Sequence, residues 1–116
     1  MREDIDKVKI YLEDILEAIQ KIAKYTNKLN KSTFKKKDIV IDAVLRNLEI
    51  LGEASRKLPD DFKTKFNQIP WNKIIGLRNI VLHEYINVDL DIIWDIITKN
   101  IPETKLKIEG IYKNFF

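Results

Sequence analysis

At 116 residues, 45% of them apolar and 34% charged, the chain is long enough for one hydrophobic core and too short for two, so a single domain over residues 1–116 is expected. It has no cysteine and one histidine, which excludes a disulfide framework and thiolate chemistry and leaves too few nitrogen ligands for a typical zinc site; no metal or cofactor is expected. A net charge of +3 leans mildly toward acidic partners such as RNA, far below that of a nucleic-acid packager. The charged start Met1-Arg2-Glu3-Asp4 and the lack of an apolar run of membrane-spanning length predict a cytoplasmic protein with no membrane partner.

In chain order, Ile5, Val8, Leu12, Ile15, Ile19 and Ile22 alternate three and four apart, the stripe of a long helix predicted from about residue 3 to about residue 29. Asn27, Asn30, Lys31, Ser32 and Thr33 break the pattern, and Lys35-Lys36-Lys37 adds a basic run to the expected loop, either solvated or in contact with RNA phosphates. A second stripe, Ile41, Val44, Leu48 and Leu51, continues to Leu58 and stops at Pro59, making an antiparallel hairpin with the first. Gly52 lies inside that helix at a cost of about 1 kcal/mol relative to alanine, which points to a close helix contact. Phe62 and Phe66 suit a short helix over 60–67 that covers one end of the core before Pro70.

Asn72 is the expected N-cap of a central helix that runs through Tyr85 and ends at Asn87. Asp89 should cap the next helix, with Ile92, Ile93, Ile96 and Ile97 turned inward around Trp94, and Pro102 should restart the chain in a last helix from Glu103 to about Asn114. No segment alternates as a strand would, so the fold class is all-α: a bundle of four main helices plus short ones.

The chemistry concentrates in Arg78-Asn79-Ile80-Val81-Leu82-His83-Glu84-Tyr85. His83, the only histidine, is the one side chain whose ordinary pKa suits proton transfer near neutral pH. On a helix, Arg78 falls near the middle of an apolar arc of Ile74, Ile75, Val81, Leu82, Tyr85 and Ile86, while Asn79 and His83 share a more polar flank. A guanidinium aimed at buried surface is costly unless it is paired or serves a partner. Glycine-rich phosphate loops and metal-spaced carboxylates are absent, so arginine plus histidine is what remains. That pair suits RNA cleavage through the 2′-hydroxyl: His83 moves a proton, Arg78 steadies charge building on the phosphate oxygens, and Asn79 orients the phosphate or His83. The bland readings are a surface or satisfied histidine, a structural ion pair of Arg78 with Glu53, Glu49 or Glu84, and a core tyrosine at 85.

The same run, followed by Asn87-Val88-Asp89, resembles the signature of HepT-like toxins of the HEPN superfamily: an arginine, a polar residue, three further positions, a histidine, one residue and a tyrosine. Arg46 to Ala54, Ile69-Pro70-Trp71 and Asp91 to Pro102 are also similar to that family, so the resemblance covers most of the chain. It implies a HEPN-like helical fold and a metal-independent endoribonuclease toxin, active as a homodimer whose motif helices meet near the twofold axis. It also implies Arg78 and His83 as the catalytic pair with Asn79 in support. The implied partner, besides RNA, is a nucleotidyltransferase-type antitoxin that silences the toxin by adenylylating the motif tyrosine, here Tyr85. Added phosphate charge beside Arg78 would occupy its anion site. The alternative from another class is a non-catalytic helical binding subunit of a nucleotidyltransferase complex.

Overall fold

The computed structural model describes residues 2–83 and 89–116, with side chains over residues 5–79 and 89–116. Among these the chain is all-α: α1 (Arg2–Thr26), α2 (Lys31–Phe34), α3 (Asp38–Lys57), α4 (Asp60–Lys65), α5 (Trp71–His83), α6 (Leu90–Asp95) and α7 (Ile101–Phe115), with a π-helical turn, Ile96–Asn100, joining the last two.

The two long stripes meet as expected. Val8, Leu12, Ile15, Ile19 and Ile22 of α1 are buried, as are Ile41, Val44, Leu48 and Leu51 of α3. Tyr11 and Asp14 line one groove with residues of α3 from Arg46 to Lys57, whereas Ile5 and Val8 lie beside Pro59 and Phe62. The order of these neighbours makes the pair antiparallel. α3 forms the middle of the bundle, packing on α1 and on α5, and α7 lies along α1.

Several boundaries differ from the sequence reading, each for a local reason. α1 ends at Thr26, whose hydroxyl donates to the Ile22 carbonyl, and Lys28 then takes a left-handed φ of 65°, which no helix continues. Ile5 is exposed, on the rim of the groove it shares with Pro59 and Phe62. The expected loop holds α2, closed by a capping box in which Asn30 accepts from the Thr33 amide and Thr33 from the Asn30 amide. α2 seats Phe34 completely out of solvent against Trp94, and Lys35 pairs with Asp91 at 3.0 Å. That cation holds the Asp91 carboxyl below the ordinary aspartate range.

α4 is confined to six residues, with Phe66 just beyond it packed on Phe62. Asp89 caps α6 as expected, accepting from the amides of Asp91 and Ile92. Ile92 points outward, however, because α6 has the core on one side only; Ile93 and Ile97 are buried and Ile96 is half-buried. Pro102 lies in the first turn of the last helix as expected, but the chain does not restart there. α6, the π turn and α7 run on without a break, the Ile101 amide bonding back to the Ile96 carbonyl. A proline ring collides with the carbonyl four residues back in a regular helix, and the wider π turn just before Pro102 makes room for it.

Candidate active site

α5 is set by its neighbours rather than by a side-chain cap. It starts at Trp71, one residue before the expected cap, so Asn72 lies exposed in its first turn, and the Pro70 carbonyl receives the amides of Lys73 and Ile74. The Trp71 ring is buried against Phe62, and its indole N–H donates to the Phe66 carbonyl at 3.1 Å. Ile74 and Leu77 carry the core face, Ile75 being half-buried.

α5 crosses α3 closely at the first residue of the motif. A Cβ added at Gly52 would stand 3.1 Å from the Arg78 Cβ, 3.1 Å from the Ile74 carbonyl oxygen and 3.2 Å from the Arg78 amide nitrogen. The helix-interior glycine expected to mark a close approach does so, and it does so at the arginine of the motif.

Arg78 is not aimed into the apolar core. Its side chain keeps 36% exposure and lies over α3, where Nε stands 2.7 Å from Glu53 Oε2. Among the described side chains of α5, Leu77 rather than Arg78 takes the interior position beside Ile74. Glu53, 28% exposed, also accepts from Arg56, at 2.6 Å from Nη2 to Oε1 and 3.3 Å from Nε to Oε2. The Arg56 hydrogen bonds lower the Glu53 pKa most; burial opposes them, and the charges of Arg56, Arg78 and Lys57 add to the lowering. The carboxylate is therefore held ionised between two guanidiniums. Of the three acidic partners considered for Arg78, Glu53 is the one observed; Glu49 pairs with Arg46 at 3.6 Å, and Glu84 lies outside the described residues.

Asn79 is exposed on α5. His83 is the last described residue of α5; its side chain, and the whole of Tyr85 and Asn87, lie outside the described residues, as does the expected continuation of the helix. Arg56 had no place in the sequence reading of the site. Its signal was the i, i+3 spacing from Glu53 on the helix whose glycine marks the crossing. Among the described residues no group of three or more His, Cys, Asp or Glu could hold a metal ion, and no helix is long and apolar enough to cross a membrane.

The family model for Ribonuclease HepT-like proteins matches residues 15–111, a span that includes α3, the Gly52 crossing and the whole motif. The chain belongs to the ribonuclease HepT-like family. HepT-like relatives align over most of this chain. "Probable ribonuclease HepT" of Thermococcus cleftensis is 39% identical over 90% of this chain and 96% of its own length. "Putative RNase MJ1380" of Methanocaldococcus jannaschii is 38% identical over 88% of this chain and 94% of its own. A third relative from the same organism, "Gamma-glutamylcyclotransferase and putative RNase MJ0434", is 42% identical over 93% of this chain, which spans only 47%, about half, of that longer protein. No solved structure matches the chain.

Proposed function

We propose that this HepT-like protein is a metal-independent endoribonuclease, the toxin of a toxin–antitoxin pair, with Arg78 and His83 as its catalytic residues. The observation that carries the reading is the family match across 15–111, which contains Arg78, Asn79, His83 and Tyr85 in the motif order. The half-exposed setting of Arg78 supports it: an arginine sealed in a core could not meet RNA, whereas this one sits at a solvent-facing helix crossing.

In the proposed reaction His83 takes the proton from the 2′-hydroxyl as that oxygen attacks the adjacent phosphorus. The phosphorus–O5′ bond breaks, the 5′-oxygen takes a proton from water, to which His83 later returns its own, and the products end in a 2′,3′-cyclic phosphate and a 5′-hydroxyl. Arg78 neutralises the charge that grows on the non-bridging oxygens, and exposed Asn79 orients the phosphate. The protein works as a homodimer with the two motif helices side by side, an isologous contact in which each copy presents the same patch. A nucleotidyltransferase-type antitoxin silences it by adenylylating Tyr85, placing a phosphate in competition with RNA for Arg78.

The test is end-labelled RNA incubated with partner-free protein in excess chelator, beside His83→Ala. Cleavage by the unaltered protein, leaving cyclic phosphate ends, and a loss of at least about 100-fold in the variant are expected, in line with general acid–base contributions. If neither protein cuts RNA and mass spectrometry finds Tyr85 unmodified, the ribonuclease reading fails and a binding-subunit role replaces it. Cleavage that needs a divalent metal would overturn the metal-free mechanism alone.

A further inference from the structure

We propose that Glu53 is a positioning residue for Arg78: held from outside by Arg56, it fixes the guanidinium at the α3–α5 crossing with its outer fork turned toward an RNA phosphate. The inference rests on the ribonuclease reading above and deepens it.

Three observations on the structure converge. The first is contact geometry. Glu53 meets Arg78 as an ion pair, with 2.7 Å between Nε and Oε2, so the carboxylate stands at the base of the guanidinium. The two terminal nitrogens of an arginine form the planar fork that matches two phosphate oxygens. The second is anchorage. A long arginine side chain is aimed only if its partner is itself fixed, and Arg56 fixes Glu53 with contacts to both carboxylate oxygens. Gly52, the residue before Glu53, lets α5 approach so closely that a Cβ there would stand 3.1 Å from the Arg78 Cβ, which sets Arg78 beside this part of α3. The third is charge. One carboxylate between two guanidiniums leaves the array with a net positive charge, so the pairing orients Arg78 without cancelling its attraction for an anion.

A purely structural pair is the competing account. With a quarter to a half of each side chain exposed, these ion pairs are of the kind that contributes little to stability, so their removal should register in catalysis more than in melting.

The experiment compares single-turnover RNA cleavage and thermal melting for the unaltered protein, Glu53→Ala, Glu53→Gln, Arg78→Lys and the Glu53→Ala/Arg78→Lys pair. Glu53→Ala should lower the cleavage rate by about tenfold or more at unchanged melting temperature, since small misplacements of a catalytic group have effects of that order. Glu53→Gln keeps an oxygen facing Nε and should lose less. Lysine at 78 has no fork to orient, so adding Glu53→Ala to Arg78→Lys should lower the rate no further. Full activity in Glu53→Ala, or a double variant lower by the whole single-variant factor, would overturn the inference while leaving the ribonuclease reading intact. Should Glu53→Ala fail to fold, Glu53→Gln with and without Arg78→Lys decides the question by the same coupling. If Arg78→Lys cuts RNA as well as the unaltered protein, the catalytic role of Arg78 and this inference fall together, while the ribonuclease activity itself stands.

Discussion

The two sides of α5 are built to different tolerances. Toward α3, the helices touch so closely at Gly52 that a single methyl group would press on backbone atoms of Ile74 and Arg78. Toward the π turn and α7, α5 stands off. A cleft of about 390 Å³ opens there between Ile74, Gly76 and Leu77 on one wall and Ile96, Ile101 and Thr104 on the other, and a Cβ at Gly76 would meet nothing within 4 Å. Both glycines interrupt helices, yet only Gly52 is explained by what it touches. The motif arginine belongs to the tight side. Close packing there restricts Arg78, whereas looseness on the far side leaves α5 free to be covered or filled without disturbing it.

The largest effect should come from breaking the tight side outright. Leu48 is fully buried on α3, and Leu48→Ala should destabilise the protein by about 2–5 kcal/mol in urea denaturation. Ile96→Ala, at the half-buried wall of the cleft, should lose less than half as much. A smaller change tests the crossing itself. In Gly52→Ala the gain in helix propensity is outweighed by crowding against atoms that cannot swing aside, for a net loss of about 1 kcal/mol. RNA cleavage should fall with it, because the displaced atom is the Arg78 Cβ. The smallest change reverses the sign. Gly76→Ala adds propensity with no contact to oppose it and should raise the melting temperature, worth up to about 1 kcal/mol, with cleavage unaltered. Equal outcomes for the two glycine variants would show that the two sides of α5 do not differ as described.

Much of this asymmetry was readable in advance, and the unread part has a common cause. The stripes of α1 and α3 carry their burial in spacing alone, and Gly52 announced a close approach by being a poor helix former in an otherwise good helix. Asp89 announced its cap in the same local way. What stayed hidden depends on partners distant in sequence. Phe34 lies in a lysine-rich stretch that reads as loop, and the ring it packs on, Trp94, is sixty residues on. The choice of Glu53 over Glu49 as the partner of Arg78 depends on how α3 and α5 are rotated about their contact, which no periodicity within one helix specifies. The orientation of Ile92 depends likewise on α6 having neighbours on one side only. At the site, Arg78 and Asn79 are placed, while the His83 and Tyr85 side chains rest on the motif and the family it defines.

The π turn before Pro102 also bears on how the gene for this chain can vary. Such a turn is equivalent to one extra codon within a regular helix, so deleting any one residue of Ile96–Asn100 would restore α-helical register with its backbone hydrogen bonds largely intact. The same deletion would leave Ile101, Thr104, Ile108 and Ile111 on the side on which they are buried, because the wider turn absorbs its extra residue without rotating the helix that follows. It would, however, return a carbonyl to the path of the Pro102 ring. The penalty for a lost residue therefore falls on that ring rather than on the buried face.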